Sequence, residues 1–165
     1  ALPRFRRATE PRPEGVVVAA GGIADGRGLA AALALGAAGV QMGTRFICAA
    51  ECTAHGNYKK AIVQANEHAT VVTGASVGHP VRCLRNPMAR EFQELERTGV
   101  SEEEILAFGT GKLRAAAVDG DVLRGSVFMG QAAGLISQVL PAAEIVRRTV
   151  TEAEAHLQRA QHTII

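Results

Sequence analysis

Two segments hold the residues whose types and spacing could do chemistry: Gly21-Gly22-Ile23-Ala24-Asp25-Gly26-Arg27-Gly28 and Gln41-Met42-Gly43-Thr44-Arg45-Phe46. Paired glycines let a polyanion approach the main chain with no Cβ in the way. A helix opening after Asp25 would aim free N–H groups and its positive dipole end at the same place. In the second segment Gly43 offers an exposed amide and Thr44 a hydroxyl. Taken singly, the first segment reads equally as a tight strand-to-helix turn that needs glycine for steric reasons.

The elements around these segments decide how they meet. Val16-Val17-Val18-Ala19-Ala20, stopped by two glycines, predicts a strand buried on both faces. Asp25 is a good N-cap for a helix over GRGLAAALALG, ending near Gly36 or Gly39. Val40 to Phe46 then returns as a second strand, which makes a βαβ unit with parallel pairing. Two adjacent strand ends could thus grip one phosphate. That is the geometry of the loops after the seventh and eighth strands of a (β/α)8 barrel.

Two rival phosphate motifs fail on spacing. Gly26-Arg27-Gly28 is followed by Leu29, Ala30 and Ala31, so the dinucleotide fingerprint lacks its third glycine. Gly109-Thr110-Gly111-Lys112 resembles the tail of a P-loop, but Leu106 and Leu113 stand where Gly and Ser or Thr are needed. Cys48, Cys52 and His55 have metal-like spacing without a fourth ligand, so small buried thiols are the plainer reading and no metal is expected. His79, in Gly78-His79-Pro80, could face a pocket, whereas His68, His156 and His162 fit solvated faces. Ser126, Met129 and Gln131 could line a cofactor pocket at the entry of Gly130 to Leu135, where tight helix packing is an equal reading.

The remaining chain reads as mostly helical. Helices are expected over 58–66, capped by Asn57, and over 87–98 behind Asn86-Pro87. Ser101 with Glu104 forms a capping box for another, and Lys112 to Val118 adds a short one. Gly130 to Val139 is expected as an apolar helix. Pro141 opens a long helix with Ile145, Val146, Thr149, Val150, Ala153 and Leu157 on one stripe. Short strands are expected over 69–74 and 81–84, and residues 1 to 15 read as a helix end and loop.

Composition bounds the class. The 165 residues are 47% hydrophobic and 21% charged with a net charge of +2, which suits a globular chain and gives no reason to propose nucleic acid or membrane as partner. No apolar run approaches the roughly 20 residues of a membrane span. Three Cys without a CxxC pair fit reduced thiols, and a cytoplasmic location is expected.

AAGGIADGRGLAAALALGAAGVQMGTRF resembles the flavin-binding stretch of the nitronate monooxygenase and enoyl-acyl carrier protein reductase II family. GHPVRCLRN, REFQELE and GDVLRGSVFMGQAAGLI resemble the reductase branch more closely. The resemblance runs from about Val16 to about Leu157. It implies an α/β fold: the C-terminal part of a TIM (β/α)8 barrel, its last two strands, with an appended mainly helical region. Residues 1–50 would form the last βαβ part and residues 51–165 the helical region of the same, incomplete domain. Gly21, Gly22, Gly43 and Thr44 would hold the FMN phosphate, with Gln41 and Met42 beside it.

The same resemblance implies reduction of enoyl thioesters with NAD(P)H, as in fatty acid synthesis, the thioester carried on acyl carrier protein. Nitronate oxidation with oxygen is the alternative, an inactive remnant a further one, and a homodimer is admitted. The family's first six strands and its catalytic His would precede this stretch, so no catalytic residue is expected in it. Two barrel strands leave unpaired edges. The chain expressed alone is expected to self-associate or melt poorly, and a monodisperse, cooperatively melting monomer in analytical ultracentrifugation and calorimetry would contradict this.

Overall fold

The computed structural model describes residues 15–163. The loop expected at the start therefore lies, apart from Gly15, outside the described residues. Strand β1 (Val18–Ala20) leads through Gly21-Gly22 to helix α1 (Gly26–Ala34), and β2 (Gly39–Gln41) returns parallel to β1. The βαβ unit is as expected, with shorter strands. Thr44 to Phe46 is not strand: it belongs to a short helix, α2 (Thr44–Ile47).

Asp25 starts α1 as the sequence suggests. Its carboxylate accepts from the amides of Arg27 and Gly28 at 3.0 and 3.2 Å and is bridged by the Arg27 guanidinium at 2.7 Å. Burial works to raise the Asp25 pKa, but these bonds outweigh it and hold it below the ordinary carboxylate value. The expectation that β1 is buried on both faces is not met. Ala19 is buried against Ala32 and Ala37, whereas Val16 and Val18 are 79% and 52% exposed. Among the described residues the sheet has only these two strands, so one helix covers one face and the other stays open.

After α2 come α3 (Gly56–Val63), an antiparallel hairpin of β3 (Thr70–Thr73) and β4 (Val81–Leu84), and α4 (Pro87–Thr98). Then follow α5 (Glu102–Gly109), α6 (Lys112–Ala117), a 3₁₀ turn at Gln131–Leu135 and the long α7 (Ala142–Thr163). His55, not Asn57, caps α3: its Nδ1 accepts from the Asn57 amide, and the Asn57 side chain donates to the Gly120 carbonyl instead. The capping box of Ser101 and Glu104 is formed as the spacing predicts. The helix expected over 130–139 is reduced to the 3₁₀ turn: Gly134 packs against the main chain of Asn66 and Glu67, and the backbone turns extended at Ile136. On α7, Ile145, Thr149 and Ala153 are buried while Val146 and Val150 face outward, so the apolar stripe is narrower than expected.

The main core gathers Cys48, Tyr58, Ile62, Ala116, Val127, Met129, Ala133 and Ile136 from both halves of the chain. Helix α1 lies directly on α7 because Gly26 has no side chain. A Cβ there would meet Glu152, Ala153 and the Thr149 carbonyl.

Asn86 ties the hairpin side to the stretch before the 3₁₀ turn. It is buried, caps α4 through the Ala89 amide at 2.8 Å, and donates to the carbonyls of Val122 and Gly125 at 2.7 and 2.8 Å. Asn86→Ala removes a cap and leaves two carbonyls without their donor, so it is expected to cost about 3 kcal/mol. Urea unfolding should show a lower midpoint with an unchanged slope.

Candidate functional site

In the parallel register Ala20 stands beside Gln41. Gly21-Gly22 and Met42-Gly43 therefore leave the sheet side by side, about 4.8 Å apart. Gly21 and Gly22 have φ of +89° and +76°, a region that favours glycine, and nothing lies within 4 Å of where a Cβ would stand. Gly21, Gly22, Gln41 and Gly43 are exposed, and Met42 and Thr44 are half-buried. The Thr44 hydroxyl oxygen accepts from the Gly130 amide at 2.9 Å, which leaves its hydrogen free to donate. This bond brings the segment ending in Gly130 to the mouth of the two strands.

One expectation about this edge is corrected. The first amides of α1 do not point at a ligand: Asp25 takes those of Arg27 and Gly28, and the Glu152 carboxylate accepts from Gly26 at 3.1 Å. Two carboxylates thus occupy the positive end of α1. The donors left at the strand ends are the glycine amides, the Thr44 hydroxyl and the start of α2, whose first amides have no partner within the helix.

The other candidate residues separate into two places. His79 and Ser126 line one apolar cavity of about 300 Å³, between the hairpin and α4–α6, with Val81, Phe92, Leu106 and Leu113 among its walls. Met129 is buried in the core, and Gln131 is exposed at the start of the 3₁₀ turn. Cys48 is buried and its thiol is pushed up by burial, while His55 is spent on capping α3. His68 and His162 are exposed, and His156 is half-buried.

These features frame the comparisons with known proteins. The nitronate monooxygenase family model matches residues 4–152. The chain belongs to the nitronate monooxygenase family. Members of this family are FMN-dependent oxidoreductases. The chain is 47% identical to FabK from Thermotoga maritima, with a TM-score of 0.86 over 90% of this chain and 47% of that one. It is 32% identical to the nitroalkane oxidase of Streptomyces ansochromogenes, with a TM-score of 0.73 over 90% of this chain and 42% of that one. The nitronate monooxygenase of Paraburkholderia phytofirmans is 38% identical over 87% of this chain and 39% of its own length. The chain spans about half or less of the lengths of these relatives. No helix among the described residues is long and apolar enough to cross a membrane.

Sequence reasoning passed over Tyr58 and Arg45. Tyr58 is buried, and its phenol donates to the Phe128 carbonyl at 2.7 Å, two residues before the amide that reaches Thr44. Arg45 is buried with its guanidinium donating to the Gln138 carbonyl at 2.7 Å, and its place in the run Thr44-Arg45-Phe46-Ile47 was the available signal. Burial pushes the Tyr58 phenol from its ordinary 10.0 up to about 12. The neutral phenol is therefore favoured by folding, and its stabilisation is complete below pH 10 and lost as pH rises towards about 12. Tyr58 is the chain's single Tyr, beside no Trp, so tyrosinate absorbance reads this group alone. The absorbance should titrate late in the folded chain, and Tyr58→Phe should reduce the alkaline loss of stability, leaving the part due to the buried thiols of Cys48 and Cys83, while costing about 1 kcal/mol at neutral pH.

Proposed function

We propose that the two strand ends hold the phosphate of FMN. The observation that carries this reading is the shared edge of a parallel pair, where Gly21, Gly22 and Gly43 are exposed with open space above their Cα atoms. Such an edge fits a phosphate monoester, since backbone amides can approach it without a side chain intervening. Gly21 and Gly22 donate from one strand end. Gly43, Thr44 and the first amides of α2 donate from the other, with Gln41 and Met42 beside them. Thr44, held by the Gly130 amide, keeps its hydroxyl hydrogen for the phosphate. When bound, FMN supplies the redox chemistry.

In this reading residues 1–50 form the last βαβ part of a flavin-binding TIM (β/α)8 barrel, and residues 51–165 its C-terminal, mainly helical region. The reaction is reduction of an enoyl thioester by NADH or NADPH. Support comes from the similarity to FabK, an enoyl-acyl carrier protein reductase II, and from the apolar cavity beside His79 and Ser126, which suits an acyl chain better than a small nitronate. Met129, buried in the core, and Gln131, exposed beside Gly130, flank the residue whose amide reaches Thr44. A cytoplasmic location, an acyl carrier protein as bearer of the thioester and a homodimer go with the same reading. Nitronate oxidation is the second reading, favoured by the names of the curated relatives.

Purified chain mixed with FMN should show a bound-flavin visible spectrum with saturable uptake. Thr44→Val should weaken FMN by about tenfold or more, the loss of one hydrogen bond to a charged group, and Thr44→Ser should restore it. Equal affinity in all three proteins would remove Thr44 from the site, and no uptake by any would refute the cradle. In the protein that contains this chain, NAD(P)H oxidation driven by a crotonyl thioester is expected, and oxygen consumption with a nitronate alone would select the second reading.

A further inference from the structure

Residues 127–130 lie along β4, with Phe128 opposite Cys83 in an antiparallel bridge. The Leu84 amide donates to the Val127 carbonyl at 2.9 Å, and the Met129 amide donates to the Arg82 carbonyl at 3.2 Å. Extended backbone turns the polar groups of alternate residues to opposite sides, and Gly130 is itself extended, with φ −81° and ψ 172°. The Phe128 carbonyl and the Gly130 amide therefore leave on the side away from β4. No main-chain amide among the described residues reaches that carbonyl. Two side chains meet these groups instead. Tyr58 donates to the carbonyl at 2.7 Å, and Thr44 accepts from the amide at 2.9 Å.

Tyr58 has little freedom to move. Its ring is 2% exposed, in the main core with Ile62, Val127 and Met129. Its neighbour Asn57 donates to the Gly120 carbonyl at 3.0 Å, so the start of α3 holds the stretch 120–130 near both ends. Thr44 is freer. A helical threonine divides between two rotamers, and α2 has no side-chain bond at its cap, Gly43. The Gly130 amide selects the rotamer in which Oγ1 faces it, and does so only while Gly130 stays within hydrogen-bond distance.

We propose that Tyr58 is a positioning residue for the FMN phosphate: it holds Gly130, Gly130 sets the rotamer of Thr44, and Thr44 aims its hydroxyl hydrogen into the cradle. This inference rests on the FMN reading and adds to it a residue that donates nothing to the phosphate itself. A hydroxyl already set in place gives up no rotamer freedom when the anion arrives. Loss of the phenol oxygen keeps the ring packing, but leaves the Phe128 carbonyl without its donor and Gly130 less firmly placed.

The test uses the protein that contains this chain, freed of FMN and titrated with it while flavin fluorescence is followed. Tyr58→Phe should weaken FMN about fivefold, the loss of one neutral hydrogen bond. Tyr58→Phe combined with Thr44→Val should bind no more weakly than Thr44→Val alone, because Tyr58 acts only through Thr44. Amide exchange in the FMN-free protein, read by NMR, follows the strip directly. Tyr58→Phe should speed exchange at Gly130 several-fold and leave Leu84, bonded on the β4 side, unchanged. Parent-like FMN affinity in Tyr58→Phe would overturn the proposal. Losses that add in the double variant, or equal acceleration at both amides, would overturn it too, since they mark general loosening. A parent protein that takes up no FMN refutes the cradle and the proposal together, whereas uptake indifferent to Tyr58→Phe refutes the proposal alone.

Discussion

A parallel pair of strands delivers both of its C-terminal ends to one edge, and the proposed cradle depends on that constraint. Antiparallel pairing would have sent Gly21-Gly22 and Gly43-Thr44 to opposite ends of the sheet. Parallel pairing needs a crossover, which α1 supplies, and the crossover must lie close enough to bury Ala19, Ala32 and Ala37. Small side chains make that approach work on one side. On the other side of α1, Gly26 admits the backbone of α7. The strand-end edge is therefore fixed by packing that involves almost no large side chains.

Four hydrogen bonds carry this edge into the rest of the molecule. Gly130 donates to Thr44, Tyr58 donates to the Phe128 carbonyl, and Asn86 donates to the carbonyls of Val122 and Gly125. The stretch from Gly120 to Gly130 has little regular structure of its own. Its backbone polar groups must find partners elsewhere, and three side chains from three different elements supply them. This explains how residues in the helical region come to stand beside glycines more than eighty positions earlier.

Much of this was legible in the sequence. Asp25, Asn86 and the Ser101–Glu104 box each name a helix start through a local hydrogen bond, and local bonds are what sequence spacing encodes. The glycine pairs announced the strand ends for the same reason. The misreadings share an opposite cause. Val16 to Val18 look like a strand buried on both faces, but burial depends on what packs over them, and one helix covers one side only. The segment Gly130 to Val139 has helical composition, yet only Gln131 to Leu135 coils, as a 3₁₀ turn. Asn57 is a good cap by type, but the Gly120 carbonyl claims its side chain and His55 takes the role. Arg45 and Tyr58 act through distant backbone carbonyls, which no local pattern reveals.

The electrostatics of α1 show how one helix start can be turned away from anion binding while its neighbour is not. A free N-terminus attracts phosphate, yet here Asp25 and Glu152 already occupy its first amides. Arg27 offsets only one of those carboxylates. A phosphate placed against α1 would meet net negative charge, whereas one placed against α2 meets no carboxylate at its cap, Gly43. The buried Arg45 sits just inside that second helix and adds positive charge beneath it. In the proposed FMN cradle this favours the Gly43 side for the phosphate, with the glycines at 21 and 22 letting it lie close rather than directing it there.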